Sequence, residues 1–309
     1  MKPPVFLVGS PRSGTTITLQ LLAAHEELGW ISQHQHVRPE VPAISTLNRL
    51  YDLPGLGDSL YYEVTQGRKC FPEKIRYYLP EPVEPWGFWG HHLEDFLWDR
   101  DGEDPPRRRT PEDVDSREID CVRDTVQAVL RYQGKPRLLS KYTDFPRIRY
   151  LKRVFPDAVF VHVRRDGRAA AASYHRKLVT GAFERAWEKR EWWIEGWPEP
   201  WQNVWRTRYE DPLTFAAFQW GTFVRGIVEE ATHLEKQCFC EVRYEDIMTN
   251  PERSLEDILG SIGLKKSPSM ASFIERVELE SRNHKWRERY SPAEKERLEK
   301  CVQICLQDL

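Results

Sequence analysis

A glycine-bearing loop follows a short apolar run near the start of the sequence. Residues 9–16, Gly-Ser-Pro-Arg-Ser-Gly-Thr-Thr, fit the phosphate-binding pattern G-x-x-x-x-G-K-[ST] except at the lysine position, which holds Thr15. In a nucleotidase this lysine reaches the β- and γ-phosphates. Without it, backbone N–H groups and a helix N-terminus still bind an anion, so we favour an anion site over an ordinary strand–turn–helix. The residues predicted to bind the phosphate-like group are Arg12, Ser13, Gly14, Thr15 and Thr16.

A second candidate loop, Arg164-Arg165-Asp166-Gly167-Arg168, follows the apolar run Ala158–Val163. The guanidinium of Arg165 matches a phosphate dianion, and Ser173 on the following helix can add a hydroxyl, while Asp166 should cap that helix. Taken alone, the loop is equally typical of a surface arginine cluster. Because both loops follow apolar strands, they should lie together at the carboxyl edge of a parallel sheet, where such sheets bind ligands. The pair predicts a ligand with two phosphate groups.

Strands that alternate with helices predict a single α/β domain over residues 1–309, built on a doubly wound parallel sheet. Residues 28–58 are rich in proline and glycine and should be irregular. The predicted strands are Val5–Val8, Arg137–Ser140, Ala158–Val163 and Cys238–Tyr244. The predicted helices are Gly14–His25, Pro111–Tyr132, Pro146–Phe155, Arg168–Leu178, Thr214–Lys236 and Glu252–Ile262, with a last helix opened by the capping box at Ser291–Glu294.

Composition narrows the class of protein. The formal net charge of −2 gives no global basic field for nucleic acid. The run Val5–Val8 is too short for a signal peptide, and no apolar stretch approaches the ~20 residues of a membrane helix, so we expect a cytoplasmic protein without a membrane span. The cysteines lack zinc-ligand spacing and are predicted to be buried free thiols. They are Cys70, Cys121, Cys238, Cys240, Cys301 and Cys305.

The two loops together resemble the nucleotide loops of the sulfotransferases that use 3′-phosphoadenylyl sulfate (PAPS), especially the bacterial and protein-tyrosine enzymes. In that family the first loop binds the 5′-phosphosulfate and the second binds the 3′-phosphate. Residues 155–168, 242–252 and 284–286 resemble further family segments near the cofactor. The resemblance implies a P-loop-like three-layer sandwich, acceptor-site insertions at about 30–135 and 180–212, and three more cofactor-binding residues. These are Tyr244, Lys285 and Trp286.

The resemblance also accounts for the absent lysine. A transferring sulfuryl group carries less negative charge than a phosphoryl group, so backbone dipoles and one or two cationic side chains suffice without a metal. Arg12 and Lys141 are the predicted cations, and the protein-tyrosine enzymes carry a lysine at the place that matches Lys141. On base rates alone, Lys141 would be a solvated lysine at a strand end.

The general base is harder to choose. The acceptor must lose a proton to a group within hydrogen-bond reach. The protein-tyrosine enzymes place a glutamate where this chain has Gln33, so that role does not transfer. We favour His36, because histidine suits neutral pH, with Glu84 in reserve. The other candidates considered are His34, Glu40, His91 and His92.

The acceptor is predicted only as a small molecule, lipid, glycan or peptide with a free hydroxyl or amine. Tryptophans between Trp187 and Trp205 could form an aromatic wall for an apolar or sugar-like acceptor, although core packing is slightly favoured. Two other functions remain open. One is an ATP-dependent P-loop kinase, which should have a lysine in place of Thr15. The other is a non-catalytic nucleotide-binding protein that lost its base, consistent with Gln33.

Overall fold

The computed structural model describes residues 1–66, 78–96, 108–181 and 183–309. Five parallel strands form a central sheet in the order β2-β3-β1-β4-β5. Every connection within this described sheet therefore crosses over, as the alternation of apolar strands and helices predicted. The strands are β1 (Lys2–Gly9), β2 (Leu28–Trp30), β3 (Arg137–Thr143), β4 (Val159–Arg164) and β5 (Phe239–Arg243).

Helices surround the sheet, and several begin at side-chain caps, including those predicted at Asp166 and Ser291. Asp166, Asn250 and Ser291 each accept a backbone N–H at a helix start. The α-helices of the described residues are α1 (Thr15–Ala23), α2 (Gln33–Val37), α3 (Gly57–Thr65), α4 (Trp86–His92), α5 (Ser116–Gln133), α6 (Ile148–Val154), α7 (Gly167–Val179), α8 (Glu184–Glu188), α9 (Arg190–Ile194), α10 (Glu199–Val204), α11 (Pro212–Ala231), α12 (Tyr244–Thr249), α13 (Pro251–Ser261), α14 (Pro268–Arg276), α15 (Lys285–Arg289) and α16 (Pro292–Gln307). A 3₁₀ segment spans Pro42–Asp52, and a π-helical turn spans Trp205–Tyr209.

The sheet is covered on both faces, which explains its nearly continuous apolar strands. In β1, Val5 and Leu7 pack against α1, α13 and α14. Phe6 and Val8 point the other way, toward α5 and α6. The predicted three-layer α/β sandwich is therefore confirmed. Within the described segments, none of the helices combines the length and apolarity needed to cross a membrane.

Strand β2 lies in the segment that was predicted to be irregular, and that prediction was wrong. Three residues are too few to show a strand period, so no pattern revealed it. Its backbone is tied to α5 by one amide: Gln133 accepts from Trp30 N–H at 3.1 Å and donates to Trp30 O at 2.9 Å. A Cβ on Gly29 would come within 2.5 Å of the Leu130 side chain and 2.9 Å of the Gln133 amide oxygen, so a larger residue would require both to shift.

The prediction of uniformly buried thiols was also wrong. Cys301 and Cys305 lie in the core, where burial raises the pKa of Cys301 to about 12. Cys238 and Cys240 are only half-buried, because they flank or belong to β5, an edge strand of the sheet. Cys121 is exposed on α5. Cys70 lies outside the described residues.

The tryptophan-rich segment packs onto the body of the protein. Four of its indoles join one apolar cluster with α7, α11 and α16. The indole N–H groups of three of them donate hydrogen bonds to side chains on or beside α11 and α16. Trp197 donates to Gln219, Trp201 to Asp308 and Trp205 to Thr214. These positions fit core packing rather than an open aromatic wall. The four buried indoles are Trp193, Trp197, Trp201 and Trp205.

Candidate functional site

The first loop turns sharply between β1 and α1. Arg12 and Gly14 have left-handed backbone angles, with φ of 70° and 97°. A Cβ on Gly14 would collide with the ring of Tyr244, so glycine is required there for space as well as conformation. Among the described residues, no side chain caps α1, so the N–H groups of its first turn remain available at the helix's positive end. N–H groups available at a helix start are able to bind an anion.

Hydroxyl groups line the floor of this loop. Ser13 is 0% exposed and Ser10 is 1% exposed. Neither Oγ has a hydrogen-bond partner within the part of the chain that the structure describes. Buried hydroxyls without partners are rare, so both fit a ligand with oxygen atoms at this position. Thr15 is buried, whereas Thr16 is exposed and accepts a hydrogen bond from Lys141.

The second loop joins the first through Arg165. Its Nη1 donates to Arg12 O at 2.9 Å, and its guanidinium lies 4.4 Å from the ring centroid of Tyr244. Burial lowers the pKa of Arg165, while Tyr244, Glu245 and Asp166 favour its charged form. The parallel strands thus bring β1 and β4 loops into direct contact, as the sequence predicted.

Arg12 connects the loops from the other direction. Its Nε donates to Ser173 Oγ at 3.0 Å across 161 positions of sequence. Burial lowers the pKa of Arg12, and so do the neighbouring charges of Arg176, Arg165 and Arg282. Arg12 therefore experiences the positive charges of three further arginines, and such a field favours an anionic ligand.

Sequence reasoning missed Arg176 and Arg282. Arg176 lies one helical turn after Ser173 on α7, and this i+3 spacing is a signal that could have identified it. Arg282 lies just before the matched residues 284–286, and it lowers the pKa of both Arg12 and Arg165. Its role depends on chain folding that no local pattern reveals.

Asn283 and Glu245 support the second loop and were also missed. Asn283 accepts from Arg165 Nε at 2.8 Å and donates to the Glu245 carboxylate. The same Glu245 oxygen accepts the Asp166 N–H at 2.9 Å. The Glu245 carboxylate therefore orients Arg165 through Asn283.

Lys285 and Trp286, the predicted cofactor-binding residues of 284–286, are placed differently. Lys285 is exposed at the start of α15. Trp286 packs in the core beneath Arg168, whose guanidinium carbon lies 5.5 Å from its ring centroid. The interactions with the two loops come instead from Arg282 and Asn283, which directly precede this segment.

Lys141 lies at the junction of the first loop and β3. Its side chain is 9% exposed, and Nζ donates to Thr16 Oγ1 at 2.8 Å. The same Nζ lies 3.2 Å from Glu84 Oε2. Glu84 Oε1 accepts both the Thr143 hydroxyl, at 2.8 Å, and the Thr143 backbone N–H. A buried cation and a carboxylate thus meet beside the anion-binding loop.

The remaining candidate bases lie around α2 and α4. His36 Nδ1 accepts the Gly87 N–H at 3.1 Å, and burial lowers the pKa of His36. Nε2 of His34 lies 3.2 Å from Tyr78 O, and that of His92 lies 3.1 Å from Pro39 O, each a hydrogen-bond contact. Glu40 and His91 are exposed. Gln33 uses both ends of its amide, toward Leu79 O and the Glu81 N–H, so its role is to hold this segment.

The all-parallel sheet and the loop after β1 place the protein among P-loop-like α/β folds. The chain belongs to the sulfotransferase family, whose model matches residues 3–268, so the predicted family is confirmed. No curated protein matches the sequence. The solved sulfotransferase STF1 from Mycobacterium tuberculosis H37Rv has a TM-score of 0.53 and 16% identity, covering 98% of this chain and 76% of that chain. Sulfotransferase STF9 from Mycobacterium avium has a TM-score of 0.51 and 16% identity, and the match covers 89% of this chain and 67% of that chain. At these identities the likeness establishes the fold.

Proposed function

We propose that this sulfotransferase moves the sulfuryl group of PAPS to a hydroxyl or amine of an acceptor and releases adenosine 3′,5′-bisphosphate. The observation that carries the proposal is the direct link between two anion-binding loops, made by Arg165 to Arg12 and by Arg12 to Ser173. A ligand with two separated anionic groups fits such a pair. Family membership supports the reaction class.

In this proposal, α1 and the Ser13 hydroxyl bind the phosphosulfate end of the donor. Arg165, Ser173 and the nearby guanidinium groups of Arg176 and Arg282 bind the 3′-phosphate. Bound PAPS supplies a sulfur atom whose bond to the bridging phosphate oxygen breaks as the acceptor oxygen attacks. Lys141 and the N–H groups of α1 then stabilise the charge that develops on the departing phosphate.

The kinase alternative fits these residues less well. The position of the phosphate-binding lysine holds Thr15, whose short side chain is 3% exposed. The acid expected near Mg²⁺ at the end of an apolar strand is replaced by arginines at the end of β4. The non-catalytic alternative rested on Gln33, but Glu84 lies beside Lys141 and supplies a carboxylate from another segment.

Ligand-dependent stability tests the proposed donor. At a hundredfold excess over its Kd, adenosine 3′,5′-bisphosphate should stabilise the protein by about 2.7 kcal/mol, because it binds only the folded state. At the same concentration, adenosine 5′-monophosphate should stabilise the protein less, since it has no 3′-phosphate to bind at the second loop and its Kd should be higher. Thermal unfolding with each ligand, and with ATP plus Mg²⁺, gives the comparison.

The Ser173→Ala variant is the matched control, because it should narrow the difference between the bisphosphate and the monophosphate. Stabilisation by ATP plus Mg²⁺ but not by the bisphosphate would contradict the proposed donor. Transfer itself is measured with ³⁵S-labelled PAPS and a panel of phenols, alcohols, sugars and tyrosine peptides.

The contacts favour Glu84 over His36 as the base. Glu84 contacts Lys141, which in turn donates a hydrogen bond to Thr16 of the first loop, residues 9–16, the donor loop of this proposal. Among the described residues, the hydrogen bond of His36 joins it instead to the Gly87 N–H. A carboxylate beside the transfer site can take the acceptor proton as the oxygen–sulfur bond forms.

Glu84→Gln should lower turnover by about 10²- to 10⁴-fold, the usual contribution of general-base catalysis. His36→Gln keeps an acceptor for the Gly87 N–H and should lower turnover far less. Glu40→Gln is the exposed-carboxylate control and should be neutral. Turnover is measured with the best acceptor of the panel, and the opposite ranking of the first two variants would restore His36 as the base.

A further inference from the structure

We propose that Thr143 is the residue that positions Glu84 for proton transfer, an inference that rests on the proposed function. Thr143 donates two hydrogen bonds to one carboxylate oxygen, Oε1, through its hydroxyl at 2.8 Å and through its backbone N–H. The other oxygen, Oε2, faces the ammonium group of Lys141 at 3.2 Å. The two oxygens of Glu84 therefore have different partners and different tasks.

Glu84 needs this support because no regular element carries it. It lies between the isolated β-bridge of Ser32 with Pro82 and the start of α4 at Trp86. Thr143, in contrast, ends β3, whose residues from Leu139 to Thr143 pair with β1 inside the sheet. Across the ladder Thr143 pairs with Gly9, where the donor loop begins. A rigid strand end thus fixes the carboxylate relative to that loop.

Lys141 alone cannot hold Glu84 in place, because its ammonium group is shared between two partners. In the structure it contacts both Thr16 and Glu84. When an anionic donor occupies the loop, Lys141 turns toward the new charge, and Oε2 loses part of its partner. The two donors of Thr143 still hold Oε1. Thr143 therefore keeps Glu84 in place while Oε2 becomes available for the acceptor proton.

A double-mutant cycle tests the assignment. Thr143→Val removes the hydroxyl and keeps the shape, so turnover with labelled PAPS should fall about tenfold to a hundredfold, the usual worth of a hydrogen bond to a charged group. Thr143→Ser should restore most of it. In a Glu84→Gln background, Thr143→Val should have almost no further effect, because it acts through the carboxylate. The KM for PAPS should stay unchanged throughout.

Two results would overturn the inference: full turnover by Thr143→Val, or the same loss with and without the Glu84 carboxylate. Stabilisation by adenosine 3′,5′-bisphosphate reports whether each variant folds, and Thr143→Ala replaces the valine variant if the latter does not. Failure of the proposed function is separate, since the unmodified protein would then neither bind the bisphosphate nor transfer sulfate to any acceptor.

Discussion

Replacing Lys141 with methionine is expected to lower turnover by about 10²- to 10³-fold, the effect of removing one preorganised group from the charge that develops in a transition state. Methionine preserves most of the buried aliphatic stem but removes the ammonium group that joins Thr16 and Glu84. Affinity for adenosine 3′,5′-bisphosphate should fall much less than turnover, because the contacts proposed for the loop amides and Arg165 remain.

The control is Lys135→Met, at the opposite end of β3 from Lys141. Lys135 precedes β3 and pairs with Asp52 at 2.6 Å, far along the ladder from the donor loop. Lys135→Met should leave turnover unchanged, while Lys141→Arg keeps the charge and should retain part of the activity. Steady-state transfer from labelled PAPS and calorimetric titration of the bisphosphate are the measurements. Parallel losses of turnover and affinity in Lys141→Met would assign Lys141 to nucleotide binding instead.

The placement of the two loops could be predicted because it depends on local patterns. An apolar strand followed by a glycine loop and a helix indicates a parallel α/β unit, and two such units share one edge of the sheet. Arg12, Arg165 and Ser173 are brought together in this way. Lys141 was predicted to lie at a strand end. It lies within β3 instead, two residues before its end, yet still reaches the loop.

The sequence named both His36 and Glu84 as candidate bases but could not choose between them, because the choice depends on tertiary packing and not on local patterns. Glu84 and Thr143 are separated by 59 positions, and the segment that carries Glu84 has no regular structure of its own. Its approach to β3 depends on tertiary packing, for example of Trp86 against Tyr142, with ring centroids 5.0 Å apart. No spacing in the sequence encodes that contact. The network of Asn283 and Glu245 was missed for the same reason.

The aromatic segment between α9 and α11 illustrates a different limit. A tryptophan every fourth residue is equally consistent with a ligand wall and with a buried helix face. The two alternatives differ in whether another part of the protein covers the indoles, and here α11 and α16 cover them. A Cβ on Gly221 would come within 3.1 Å of the Trp201 ring, so α11 approaches the indole closely. The shape of the partner helix, not the tryptophan spacing, determines the outcome.

Trp201→Ala is therefore expected to lower the free energy of unfolding by about 3–5 kcal/mol, the usual cost of emptying a large aromatic site in a core. The indole is 1% exposed, packs against Phe218 and donates Nε1–H to Asp308 at 2.6 Å. Truncation leaves a cavity between α10, α11 and α16 and an unpaired acceptor. Urea unfolding followed by circular dichroism measures the loss.

Trp192→Ala is the matched control, because Trp192 is half-buried and contacts Lys189, whose Nζ lies 3.9 Å from the ring centroid. Losing such a surface cation–π contact should cost only about 0.5–1 kcal/mol. If the segment is structural, Trp201→Ala should change stability while the folded fraction keeps its KM for the acceptor. A raised acceptor KM with unchanged stability would instead make Trp201 part of the acceptor site, since a ligand wall contributes to binding and not to the core.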